Sequence, residues 1–160
     1  MNEIRYYLRW GVNRLQSPTP YTHDIPVEEA RRLHDARGIY AAVVLREKVP
    51  FAFIEANDGF FGVSFIDALG RVFLNYAFRE REPGRLFLEQ ASFRNFTDDT
   101  PRATSQEIYL FDVDGTHSER VSDFVNKTVK TSEPRVIDVS GNWAPYPVFG
   151  EYDALLRIER

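Results

Sequence analysis

From Gly38 onward the chain alternates short apolar runs with brief turn signals, and a sequence punctuated in this way is restricted to antiparallel strands joined as hairpins. Asn57-Asp58-Gly59 separates Pro50–Glu55 from Phe60–Ile66, and Pro83-Gly84 separates Arg71–Arg79 from Arg85–Phe96. Asp114-Gly115 separates Gln106–Val113 from Ser118–Val125, and Asn126-Lys127 offers one more turn into residues 128–139, interrupted at Pro134. Within 71–79, Val72, Leu74, Tyr76 and Phe78 alternate with Arg71, Phe73, Asn75, Ala77 and Arg79, the period of a strand with one buried face.

The segment before Gly38 supplies the rest. Ile4, Tyr6, Leu8 and Trp10 alternate with Arg5, Tyr7 and Arg9, which predicts another strand. Residues 16–24, QSPTPYTHD, read as a loop. A helix is expected from Pro26 to Arg37: proline suits the first helical position, Glu28 and Glu29 suit its positive end, and Gly38 is a natural stop. Val27, Ala30 and Leu33 give it a narrow apolar stripe. Ile39–Leu45 is almost wholly apolar and reads as an interior strand. The tail, SGNWAPYPVFGEYDALLRIER, is rich in proline and aromatics and then briefly helical in pattern. Trp143, Tyr146, Phe149 and Leu155 predict that it lies across the sheet. The expected fold is α+β and mainly antiparallel β: a curved meander sheet or open barrel with one main helix and a short C-terminal helix, in a single domain spanning residues 1–160.

Composition narrows the function classes. Thirteen Phe and eight Tyr provide ample material for one core. A net charge of −4 and scattered basic residues (Arg5, Arg9 and Arg14, then Arg79, Arg81 and Arg85) leave no basic stripe of the kind that binds a phosphate backbone. The interleaved arginines and aromatics of 71–94 therefore read as one face of a half-buried sheet, and no nucleic-acid partner is expected. There is no cysteine, which excludes disulfides and thiolate metal sites. The start of the sequence lacks the apolar core of a signal peptide and no run reaches the length of a membrane span, so the expected compartment is the cytoplasm, with no membrane partner.

Catalytic constellations are weak. His23, His34 and His117 fall in different elements without metal-ligand spacing, and the glycines stand singly. One motif looks like chemistry: Asp112-Val-Asp114-Gly115-Thr116, after the apolar run Ile108–Phe111, resembles the first motif of the haloacid dehalogenase superfamily. That resemblance implies a Mg²⁺-dependent phosphohydrolase with Asp112 as nucleophile and Asp114 as acid/base. Against it, too few residues follow Thr116 for the helix crossovers of a parallel sheet, and Asp114-Gly115 is a favoured hairpin turn. The turn is the preferred reading, and no catalytic residue, cofactor or metal ligand is assigned.

From Arg71 onward the succession FLNYAF, GRLFLEQASFR, YLFDVDGTHSER and VIDVSGNWAPYPVFGEYDALLR is similar to a group of small bacterial proteins associated with polymorphic-toxin and immunity gene neighbourhoods. The resemblance implies a non-catalytic protein-binding module that neutralises a cognate toxin by occluding its active site. Because toxin clefts that act on nucleic acids are basic, acidic turns are the expected contact points: Asp58, Glu80, Glu82, Asp98 and Asp99. A small-ligand carrier, with the meander closed around an apolar cavity, is the alternative.

Overall fold

The computed structural model describes residues 2–12, 18–20 and 23–160. In chain order the strands are β1 (Glu3–Tyr7), β2 (Trp10–Val12), β3 (Pro18–Pro20) and β4 (Asp24–Ile25), followed by the helix α1 (Val27–Asp35). Then come β5 (Tyr40–Arg46), β6 (Val49–Asn57), β7 (Phe60–Ile66), β8 (Val72–Glu82), β9 (Arg85–Asn95), β10 (Ser105–Phe111) and β11 (Thr116–Asp123). The short strands β12 (Thr128–Thr131), β13 (Arg135–Val136) and β14 (Trp143–Pro145) complete the set.

The main sheet runs in the order β12-β11-β10-β9-β8-β7-β6-β5-β1-β4, so from β5 to β12 each strand lies beside its neighbour in sequence. The paired strands are antiparallel throughout the described residues. The two ends of the row, β4 and β12, do not meet, and the sheet is open. Register shifts at Val44/Leu45, Phe65/Ile66, Ala77/Phe78 and Glu80/Glu82 add the local bends and twist of β-bulges.

The expected turns form where the sequence places them. Asp58 and Gly59 take left-handed conformations between β6 and β7, as a tight hairpin turn requires. Pro134 divides β12 from β13, both of which pair with β11. The β5–β6 connection is less obvious, because Glu47 and Lys48 adopt positive φ without a glycine. The helix starts after Pro26, but Arg37, not Gly38, takes the left-handed conformation after it. Its buried stripe also differs from expectation: Ala30 is fully buried and Leu33 half-buried, while Val27 is exposed. Part of the expected loop at 16–24 is strand, since Pro18–Pro20 pairs with Trp10–Val12 and Asp24–Ile25 with Tyr6–Tyr7. Residues 16, 17, 21 and 22 of that loop, and Arg14, lie outside the described residues.

One face of the sheet, the inner face, carries the main core. Ala42, Val44, Ile54, Phe61, Val63, Phe65, Leu74, Phe78 and Leu86 project there and pack with Ala30 of the helix and with Phe149, Tyr152 and Leu155 of the tail. A smaller cluster of Ala41, Val43, Leu45, Phe53, Ile66 and Val72 lies on the opposite face, which is why β5 is buried along nearly its whole length. The tail first extends β9 through β14, pairing Trp143 with Phe87 and Ala144 with Leu86, and then crosses the inner face. In place of the expected C-terminal helix it makes a turn, in which the Leu155 and Leu156 amides both donate to the Tyr152 carbonyl.

Candidate functional site

Hairpin parity decides where the five acidic candidates sit. The β6–β7 and β8–β9 turns share one end of the sheet, whereas the β9–β10 loop lies at the other, against the β7–β8 turn. Asp58, Glu80 and Glu82 are therefore separated from Asp98 and Asp99 by the length of the strands. The first group is also internally neutralised. Glu80 accepts from Arg37 and from the Gly84 amide, Asp58 pairs with Arg37 at 3.3 Å, and Glu82 pairs with Arg85 at 2.5 Å. Arg37 in turn lies over Tyr146, so this cluster ties helix, two turns and tail together. At the opposite end, Asp98 caps the Thr100 amide, and its backbone carbonyl accepts from Arg71. Asp99 is exposed. The arginines of the β8–β9 turn are likewise engaged: Arg79 and Arg81 with Glu89, and Arg85 with Glu82 and the face of Trp143.

Asp112 and Asp114 flank the β10–β11 hairpin. The Asp112 amide donates to the Thr116 carbonyl, the Gly115 amide to the Asp112 carbonyl, and Asp114 Oδ1 accepts from the Thr116 amide at 2.8 Å. That bond holds the Asp114 carboxyl below its usual range. The strands on either side are antiparallel neighbours, with Phe111 opposite His117. The parallel sheet on which a phosphotransferase would mount this motif is replaced by a hairpin. Among the described residues no three carboxylates and imidazoles converge to hold a metal ion.

The feature that sequence reasoning missed is a trough of about 560 Å³ on the inner face, lying on β8, β9 and β10. Its origin is one small residue. Ala91 stands opposite Tyr76 on one side and Tyr109 on the other, so a methyl group separates two large rings and leaves a depression. Tyr76, Leu88 and Ala91 form a buried floor, and Phe93, Tyr109 and Phe111 a half-buried aromatic wall, with the Phe93 and Tyr109 rings edge-on at 5.9 Å. Ile137, Asp138 and Asn142 border the trough as the chain crosses toward β14, and Ile158 and Arg160 border it from the tail. Asn142 is fixed by donation to the Leu88 carbonyl at 3.1 Å, and the Tyr76 hydroxyl donates to the Ile158 carbonyl. The trough is open to solvent, unlike an enclosed chamber.

Behind its aromatic wall lies His117, 4% exposed, stacked on Phe111 at 5.1 Å and on Tyr109 at 5.9 Å. Its Nδ1 has no hydrogen-bond partner, an uncommon state for a buried polar atom. Glu119 on β11 faces Tyr109 directly and accepts a hydrogen bond from it, and Glu107 lies two residues before Tyr109 on the same face of β10. Both carboxylates, together with burial, keep the Tyr109 hydroxyl protonated beyond its ordinary range, burial contributing most.

A second polar network holds the tail to the helix. His34 Nδ1 lies 2.9 Å from the Tyr40 hydroxyl, which lies 3.1 Å from that of Tyr152, and Tyr6 is hydrogen-bonded to Tyr152. Desolvation holds His34 below its ordinary 6.5, outweighing the upward pull of Asp35 and of the Pro147 carbonyl, with Arg31 adding a small downward push. The folded state thus favours the neutral ring, and the unfolded chain takes up a proton first as the pH falls. Stability from this residue is expected to be level above pH 6.5 and to be lost as the pH drops through the lower folded-state value. Urea midpoints measured between about pH 7.5 and 5.5 should show that decline, and His34→Gln should flatten it.

Searches of protein families, of curated proteins and of solved structures find no match to this chain.

Proposed function

We propose that the chain is a non-catalytic protein-binding module of the immunity type, one that covers the active site of a cognate toxin in a bacterial cytoplasm. The observation that supports it best lies at the end of the sheet bearing Asp98 and Asp99. There the β11–β12 turn exposes Phe124 and Val125, and the Phe124 amide is tied to the Thr104 carbonyl of the loop that carries the two acids. Exposed apolar side chains on a turn tied to an acidic loop fit a partner with a basic, partly apolar cleft. Among the five acidic candidates, this narrows the contact set to Asp98 and Asp99, because Asp58, Glu80 and Glu82 are occupied by arginines.

The test is neutralisation of the toxin encoded beside this chain. Charge reversal at Asp99 together with Phe124→Ser should weaken binding at least about a hundredfold while leaving the unfolding midpoint nearly unchanged, whereas reversal at Asp98 also removes its cap on the Thr100 amide and should lower the midpoint. Full toxicity in the presence of the unmodified protein would end this reading. A small-ligand carrier is the second reading, favoured by the trough. It ranks below the first because the sheet is open and the trough lacks a closing wall.

A further inference from the structure

We propose that the trough receives a basic side chain of the protein partner, an arginine or lysine seated against Tyr109 beside the carboxylate of Glu107, with Glu119 on the far side of that ring. The inference deepens the protein-binding reading and rests on it for the nature of the partner, while the chemistry of the pocket stands on its own residues.

Three observations converge. The first is shape: Ala91 between Tyr76 and Tyr109 opens a depression whose volume of about 560 Å³ far exceeds that of one long side chain and admits part of the segment carrying it. The second is charge. Glu107 borders the trough and forms no ion pair among the described residues, while Glu119, outside the lining, faces Tyr109 from the next strand and accepts its hydroxyl hydrogen bond. Lys130, on the same face of β12, is not paired with them. Asp138 is the second carboxylate on the border, its Oδ1 accepting from the Ser140 amide at 2.9 Å. Aromatic faces beside carboxylates suit a guanidinium or an ammonium, which stacks on a ring and donates to an acid at once. The third is the unpartnered Nδ1 of His117, buried beside Tyr109 and Phe111, which leaves hydrogen bonding at this wall incomplete.

The opposite polarity is represented by Arg160, and it is already satisfied. Its guanidinium lies over Phe78 at 4.7 Å and Tyr76 at 5.5 Å and donates to the Ala154 carbonyl at 2.5 Å, contacts that anchor the tail. Among the described residues the Glu107 carboxylate has no such engagement, so a cation is the better complement.

The experiment is an NMR titration of the full chain with N-acetyl-arginine amide, with N-acetyl-glutamate amide as the charge-reversed control. The arginine probe should shift the side-chain resonances of Tyr109, Phe111 and His117 saturably, and the glutamate probe should leave them in place. Glu107→Gln with Glu119→Gln should weaken the arginine probe about tenfold, and Ala91→Leu, which fills the gap between the two tyrosines, should abolish its binding. Equal shifts from both probes, or unchanged arginine binding in either variant, would overturn the proposal. Should the glutamine pair fail to fold, Ala91→Leu decides alone. Failure of the two readings is separable. A toxin left active while the arginine probe still binds removes the immunity reading and keeps the trough. A toxin neutralised equally well by the glutamine variant, with no response to the probe, removes the trough and keeps the immunity reading.

Discussion

Leu155→Ala is expected to lower the free energy of unfolding by about 3 kcal/mol, a loss typical of truncating a buried leucine. Leu155 is fully buried and belongs to the main core together with Phe149 and Tyr152. The prediction separates two roles for the tail. If residues 143–156 merely drape over a finished sheet, the substitution should free the tail and leave the cooperative unfolding of the sheet intact. If the tail is part of the core, the whole transition shifts to lower denaturant with an unchanged slope. The second outcome is expected, because the strand face beneath the tail is made of Phe61, Val63, Phe78 and Leu86, residues that need an apolar cover. Val148, in the same tail but exposed, is the control: Val148→Ala should change stability by less than about 0.5 kcal/mol. Urea denaturation followed by tyrosine and tryptophan fluorescence reads both.

The second large effect is expected at the β10–β11 turn. Gly115 has φ +91°, and a Cβ there would sit 2.6 Å from the backbone carbonyl oxygen of Ile137. Gly115→Ala therefore combines left-handed strain with a collision against main chain that no side-chain rotation relieves, and should cost about 3 kcal/mol. Gly84 provides the comparison. It has φ +74° but open space around its Cβ position, so Gly84→Ala isolates the strain and should cost about 1 kcal/mol. The Gly115 amide and carbonyl frame one end of the β11–β13 pairing, since the Ile137 amide donates to the Gly115 carbonyl at 2.9 Å. Hydrogen exchange at Ile137 should accelerate in Gly115→Ala and stay protected in Gly84→Ala. Equal destabilisation by the two substitutions would show that the close approach to Ile137 carries no weight.

Most of the fold was legible in the sequence because its turns are chemically explicit. Asp58-Gly59, Pro83-Gly84 and Asp114-Gly115 each carry residues suited to a tight reversal, and the strands between them follow by alternation. The misses have physical causes. Glu47 and Lys48 form the β5–β6 turn without glycine, so the reversal is imposed by the pairing of the flanking strands and has no local signature. Val27 shares the helix stripe with Ala30 by spacing, but lies in the first turn and is exposed. Asp24–Ile25 is a strand only because Tyr6 and Tyr7 lie beside it.

The site was less legible. The acidic candidates were chosen as exposed turn residues, and hairpin parity alone would have divided them between two ends. Their arginine partners could not be read in the same way, because Arg37 and Glu80 lie far apart in sequence. The trough depends on Ala91 standing in line with Tyr76 and Tyr109, a register set by bulges and loop length, not by composition. An alanine inside an aromatic-rich strand was the available clue.

The unclosed sheet has a bearing on self-association. A row of ten strands presents unpaired amides and carbonyls at both margins, and such a margin can recruit another chain. Here one margin is Asp24–Ile25, ending against Pro26, with Glu3–Arg5 of β1 beside it, and the other is divided at Pro134 into Thr128–Thr131, with Lys130 within it, and Arg135–Val136. Brevity, proline and a lysine are the standard deterrents to edge-on stacking, so a polypeptide this rich in phenylalanine and valine carries at its margins a guard against lengthening by its own hydrogen bonds.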